Sequence, residues 1–325
     1  MSFIMNIRSV AKYESKILVR SWFFRIFTLL AVVFLGFFNF AMMLMEDNFG
    51  LWFTKSVSSN IPYLNLLLLN TGQAVVAVFL SSEFLKRDKK LDTSEVFYVR
   101  PLSNAEYVVG KIWGNLRVFL FLNLLVLAIV LAFNFMASGV TVDLPAYLVY
   151  FFLISIPTLI FIIGLSIFLM LLLKNQALTF ILLLGYIGLT LFYIQDKFYY
   201  LFDYMVYNLP LFKSTIVGFS NLELILNHRA IYFFAGLGFI FFTIFLFKRL
   251  PNARRSHYPW LFLSFCMFLL MVTAGFRHVR SILWEGEMRA LYTSINNKYV
   301  YEPKMAIDYY DISAVSYTHL TLPTT

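Results

Sequence analysis

The sequence predicts an all-α fold: a polytopic helical membrane protein with about seven transmembrane helices and its N-terminus in the cytoplasm. Three observations predict it. Hydrophobic residues make up 61% of the chain and charged residues 13%, with mean hydropathy +0.77, whereas a soluble domain is about half apolar and about a quarter charged. No single core hides that much apolar surface from water, so lipid is the solvent for much of it. Apolar runs of the ~20 residues needed to cross a bilayer recur along the chain. Basic residues crowd onto alternate connecting segments.

The chain opens with Asn6–Arg20, where Ile7, Val10, Ala11, Ile17 and Leu18 lie among Arg8, Lys12, Glu14, Lys16 and Arg20. Apolar residues at helical spacing with basic flanks predict an amphipathic helix, residues 1–21, in the inner membrane interface. The first apolar run starts at Trp22, is as long as a full span and lacks a small-x-small cleavage site. It reads as a retained anchor, not a signal peptide. Spans are predicted at Trp22–Met45, Ile61–Phe84, Ile112–Ala137, Ala146–Leu173, Ala177–Ile194, Ile231–Phe247 and Tyr258–Phe276.

Orientation follows from the cations. With the N-terminus inside, 17 of the 26 Lys and Arg residues fall on inner segments. The outer loops between spans carry only Lys55, Lys197, Lys213 and Arg229. This positive-inside bias toward anionic lipid accounts for the basic balance without a nucleic-acid partner.

The outer segment Gln195–Ala230 is rich in aromatics, among them Phe198, Tyr199, Tyr200, Phe202, Tyr204 and Tyr207. It reads as an interfacial aromatic belt, with re-entrant helices on the outer mouth as the alternative. Beyond the seventh span, residues 277–314 turn polar, with strand-like fragments such as Tyr299–Tyr301, and read as the start of an extracytoplasmic segment too short to build its own core. Residues 315–325, VSYTHLTLPTT, resemble a translated sequencing adapter. They are expected to be an artefact at the end of a truncated chain.

Catalytic signals are nearly absent. The chain has no phosphate loop, H-E-x-x-H or G-x-S-x-G, and its one cysteine, Cys266, lies in an apolar run. His228, His257 and His278 fall in or near aqueous loops and read as solvated or interfacial. Spans four to seven carry no ionisable residue in their interiors, and no midplane carboxylate marks an ion-coupled carrier. Asn65, Asn70, Gln73, Asn115 and Asn123 could line a polar track between spans two and three, or form helix–helix hydrogen bonds, the reading preferred.

The informative stretch is the first inner loop, Lys86–Lys111, KRDKKLDTSEVFYVRPLSNAEYVVGK. Asp92-x-x-Glu95 has capping-box spacing, Pro101 ends what precedes it, and Ser103-x-x-Glu106 is a second box that starts a helix running through Gly110 and Lys111 into the third span. Two helix starts so close together predict a structured loop.

That loop, with the basic amphipathic helix and two spans before it, resembles the ABC-2-type exporter permeases over residues 1–247. The string Arg100-Pro-Leu-Ser-x-x-Glu-Tyr-x-x-Gly-Lys111 is its most specific element. The resemblance implies a coupling helix at Asp92, Thr93, Ser94 and Glu95 through Tyr98 that docks on a separate ATPase subunit. Arg100, Pro101, Ser103, Glu106, Gly110 and Lys111 surround it, and the turn Lys174-Asn175-Gln176 forms the second contact. It further implies no enzyme activity or cofactor on this chain (ATP and Mg belong to the partner), two permease halves paired in lipid, and a bacterial inner-membrane location. The resemblance covers six spans, residues 22–247. The inner loop and seventh span, 248–276, depart from it. Two other readings stay open. One is a membrane anchor for a peptidase-like extracytoplasmic enzyme beyond residue 314, and the other is a secondary carrier.

The predicted topology has a direct test. In a Cys266→Ser background, an impermeant thiol reagent added to intact cells should label cysteines at positions 203 and 285 and spare cysteines at 95 and 254. Labelling at 95 but not 203 overturns the topology.

Overall fold

The computed structural model describes residues 3–44, 59–90, 102–136, 142–194, 197–209, 211, 213–214, 218–219, 221–247, 258–302 and 309. Its elements, in order, are α1 (Phe3–Arg20), α2 (Trp22–Leu44), α3 (Asn60–Lys90), α4 (Asn104–Met136), α5 (Leu144–Tyr150), a π-turn (Phe151–Ser155) and α6 (Ile156–Leu173). Then come α7 (Gln176–Leu189), a second π-turn (Thr190–Ile194), the strands β1 (Lys213–Ser214) and β2 (Gly218–Phe219), α8 (Leu222–Leu246) and α9 (Tyr258–Lys298). Seven helical segments are long and apolar enough to cross a membrane. The protein is an all-α, multi-pass integral membrane protein. The antiparallel pair β1–β2 holds its only strands among the described residues.

The chain divides into two units, Met1–Ile282 and Leu283–Thr325. The first holds the bundle. Its centre is the second, third, fourth and sixth crossings, the most buried of the seven, and the most intimate contact is between α6 and α8. There Gly164 and Gly236 face one another: a Cβ on Gly164 would lie 2.6 Å from the Gly236 carbonyl oxygen, and one on Gly236 would lie 2.7 Å from that of Ile160. Small residues let two backbones meet where lipid supplies no hydrophobic drive between helices. Phe161 and Phe168 of α6 extend the contact onto Tyr232 and Phe239 of α8.

Polar residues inside the bundle bond from helix to helix. Asn39 of α2 pairs with Asn65 of α3, Nδ2 to Oδ1 at 2.7 Å. Asn123 of α4 donates to Gln73 at 2.9 Å and accepts from Asn70 and Ser155 at 3.1 and 2.8 Å. Ser81 donates to Ser166 at 2.8 Å. The preferred reading of the amides as helix–helix hydrogen bonds therefore holds for Asn65, Asn70, Gln73 and Asn123. Asn115 takes no part in these networks.

The second unit contains the end of α9, a helix of 41 residues, about 60 Å at 1.5 Å per residue. The helix that holds the expected seventh span does not stop at Phe276: it continues through the polar residues 277–298. Tyr299–Tyr301, read as strand-like, form a turn at its end. Arg280, Glu287 and Arg289 are spaced along the helix, and their side chains do not interrupt the backbone ladder, so the loss of hydropathy ended the apolar run and not the helix.

The α6–α8 crossing makes a quantitative prediction. Gly164→Leu should lower stability by about 1–3 kcal/mol through overpacking, read as a fall in melting temperature in detergent. Gly185→Ala, whose Cβ would meet nothing within 4 Å, should leave the melting temperature unchanged or raise it, since alanine favours helix.

Candidate functional site

The residues singled out in the first inner loop divide in two. Asp92, Thr93, Ser94, Glu95, Arg100 and Pro101 lie outside the described residues. Ser103, Glu106, Gly110 and Lys111 form the start of α4, and their geometry is a completed capping box. Glu106 N–H donates to Ser103 Oγ at 3.1 Å, and Ser103 N–H donates back to Glu106 Oε2 at 2.6 Å. Two of the helix's otherwise orphaned donors are thereby satisfied.

What the capped turn then meets is α1. Asn6 Nδ2 donates to Glu106 Oε1 at 2.8 Å. One turn on, Gly110 and Gly114 present a bare groove four residues apart. A Cβ on Gly110 would lie 2.7 Å from Val10 Cβ, and one on Gly114 would lie 2.8 Å from the Ala11 carbonyl oxygen. Beneath the groove, Lys111 Nζ pairs with Glu14 Oε2 at 3.6 Å, both side chains almost fully buried. Ser15 Oγ donates to the Gly114 carbonyl at 2.7 Å and accepts from Arg117 Nε at 2.5 Å, while Arg117 also donates to the Ala11 carbonyl. Glu106, Gly110 and Lys111 thus turn toward α1 and not toward solvent. Their part is to fix α1 on α4.

The amphipathic reading of α1 is right about the helix and incomplete about its faces. The buried stripe is Ala11, Glu14, Ser15 and Leu18, part of it polar, and it faces α4. Exposed Arg8, Lys12, Lys16 and Arg20 share the other surface with Ile4, Met5 and Tyr13. The signal that could have found the partner was the Gly110-x-x-x-Gly114 spacing.

At the same end, α4 is tied to α8. Asn104 Nδ2 donates to the Phe247 carbonyl at 2.6 Å, and the rings of Tyr107 and Phe247 stack at 5.4 Å. The predicted second contact, Lys174-Asn175, is an exposed two-residue turn. Lys174 ends α6 at φ 54°, left-handed, and Asn175 Oδ1 caps α7 by accepting from Ala177 and Leu178 N–H. Asparagine is among the best residues for that position.

The far end of the bundle differs from the expected belt. Tyr204, Val206, Leu209 and Leu211 are buried, and Tyr63 and Tyr150 donate to the carbonyls of Val206 and Leu211 at 3.2 and 2.7 Å. The segment forms a plug of turns and a hairpin packed into the mouth. Asp203 is buried within it and accepts from Tyr207 and Asn208 N–H at 3.0 and 2.8 Å. Burial pushes its carboxyl above the usual range, against the pull of those amides and of Arg229.

Two further expectations are corrected here. The sixth crossing begins at Leu222, not Ile231, which brings Arg229 and His228 into a helix. Arg229 is buried, with its guanidinium spread over the carbonyls of Leu153 (2.6 Å), Ile154 (3.4 Å) and Tyr204 (2.9 Å) and the Thr158 hydroxyl (2.9 Å). The π-turn at Phe151–Ser155 widens the helical ladder and leaves carbonyls to be claimed. His228 and His278, read as solvated or interfacial, are fully buried with ring centroids 5.1 Å apart. Facing carbonyls of Tyr200 and Tyr199 at 3.0 and 2.9 Å, their Nε2 atoms carry the protons. They clamp a turn in which Phe198, Tyr199 and Tyr200 all have positive φ, a conformation costing roughly 1–2 kcal/mol per residue for L-amino acids.

No protein-family model matches this chain, and no curated protein matches it.

Glu106→Ala should remove both the back-bond of the capping box and the acceptor for Asn6. A loss of about 1–2 kcal/mol is expected, with faster tryptic cleavage at the exposed Arg8 and Lys12 as α1 lifts from α4. Unchanged cleavage would show that the glycine groove alone holds α1.

Proposed function

We propose that the chain is the membrane-spanning permease subunit of an ATP-driven exporter of the ABC-2 type, coupled to a separate ATPase subunit. It would reside in a bacterial cytoplasmic membrane, N-terminus inside, as one of two paired permease halves. ATP and Mg belong to the partner chain, and this chain is not itself an enzyme. The observation that carries the reading is the capped start of α4. The string that resembles the exporter permeases, Ser103-x-x-Glu106-x-x-x-Gly110-Lys111, is the segment that binds α1 and leads without a break into a membrane crossing.

The mechanism follows from that continuity. A helix in segment 92–98 would receive the movement of the ATPase. Ser103 and Glu106 fix the chain's direction as it enters α4. The Gly110/Gly114 groove and the Lys111–Glu14 pair make α1 move with α4 as one body. The exposed turn at Lys174-Asn175 would present a second point of contact where α6 passes into α7. Rocking of these crossings between inward-open and outward-open arrangements then carries substrate.

The test is Glu95→Arg, a charge reversal in the segment proposed to dock. Stimulation of the proposed partner ATPase, and co-purification with it, should fall to background while membrane insertion is retained. A variant that stimulates and transports like the wild type removes the basis for the reading.

A further inference from the structure

We infer that the junction of α1, α2, α3 and α4 is a binding site for the headgroup of an anionic phospholipid. A cavity of about 310 Å³ opens there, lined by Glu14, Ile17, Leu18, Arg20, Ser21, Leu80 and Asn115. That volume lies at the lower end of the range for small-molecule sites.

The decisive residue is Asn115. It is 4% exposed and lines the cavity, and its amide has no hydrogen-bond partner among the described residues. The other bundle amides, Asn39, Asn65, Asn70, Gln73 and Asn123, all bond across helices. The amide is reachable from the cavity, so a ligand there that accepts from it takes up a donor that no protein group claims. The Ser21 hydroxyl and the Arg20 guanidinium line the same space and add donors of the kind phosphate oxygens take. The single carboxylate, Glu14, is already paired with Lys111 at 3.6 Å, and Arg117 lies just beyond on Ser15 and Ala11. Among the described residues Arg20, Lys111 and Arg117 stand against Glu14 alone, and the site favours a negative group.

The level of the cavity identifies the source of that group. Ser21 is the break between α1 and the first crossing, and Trp22 beside it is 75% exposed, the position of an aromatic belt residue at the height of lipid headgroups. The exposed Arg8, Lys12 and Lys16 on the outer surface of α1 draw anionic lipid toward the same edge. Ile17, Leu18 and Leu80 give the glycerol and upper acyl chain an apolar wall. The occupant is therefore a phosphodiester of the surrounding leaflet, bound with its phosphate between Arg20, Ser21 and Asn115.

The site does not depend on what the bundle transports, so its failure would leave the exporter reading untouched. The experiment is native mass spectrometry of the delipidated full chain in mild detergent, titrated with phosphatidylglycerol or phosphatidylcholine. Wild type should retain one phosphatidylglycerol per chain, at least about tenfold tighter than phosphatidylcholine. Arg20→Gln and Asn115→Leu should each weaken it by about tenfold, while Arg20→Lys keeps the charge and should bind like wild type. Arg8→Gln, outside the cavity, should also bind like wild type. Equal binding by all variants overturns the site. Displacement of the lipid by inorganic phosphate at matching concentrations overturns the lipid assignment in favour of a soluble anion.

Discussion

Hydrocarbon offers no hydrogen bonds, so the backbone groups of a membrane bundle must find partners within the protein. Among the described residues, the π-turn at 151–155 and the left-handed turn at 198–200 are settled in that way. The π-turn at Phe151–Ser155 turns two carbonyls toward Arg229. The left-handed residues at 198–200 are held by two imidazoles, and by the hydroxyl of Tyr232, which donates to the Leu201 carbonyl. Arg229 would be prohibitively costly alone in an apolar setting, yet four acceptors surround it. Removing the carbonyls would make the arginine untenable, and removing the arginine would strand the carbonyls.

How much of this could be read beforehand depends on whether the cause was local. The crossings were legible because an apolar run is its own signal, and the start of α4 was legible because a capping box closes within four residues. The true beginning of α8 was not. Hydropathy stops at His228 and Arg229, and the groups that make them acceptable belong to Leu153, Ile154, Tyr200 and Tyr204, remote in sequence. The same holds for α1. Its periodicity announced a helix with one apolar face, but the face that packs carries Glu14 and Ser15, which only Lys111, Arg117 and the Gly114 carbonyl make tolerable. Of the candidate coupling residues, Ser103 and Glu106 behave as their spacing implied, and Asn175 proves to cap α7. Gly110 and Lys111 take their meaning from a helix about a hundred positions earlier.

The two ends of the bundle are joined by different physics. At the α1 end the contact is backbone against backbone, with glycines removing the side-chain layer that could otherwise repack, and one buried ion pair fixes the register. Breaking such a pair from one side costs about 3–5 kcal/mol, so α1 and α4 move together or not at all. At the far end the plug hangs on hydrogen bonds from Tyr63, Tyr150, Arg229 and the two histidines to carbonyls. Each is worth about 0.5–1.5 kcal/mol net in an aqueous setting, and each can be exchanged for a bond to water if the mouth opens.

Transmission through a bundle needs one rigid part and one part with two arrangements. In the exporter reading the α1–α4 body is the rigid part, and Tyr107 stacked on Phe247 with Asn104 on its carbonyl links it to the end of α8. The other end of α8 carries His228 and Arg229, the residues that hold the plug. A displacement delivered at the capped start of α4 therefore has a continuous solid route, along α8, to the contacts that yield most readily to water. The asymmetry gives the motion a direction: force enters where packing cannot slip and is released where hydrogen bonds can be exchanged.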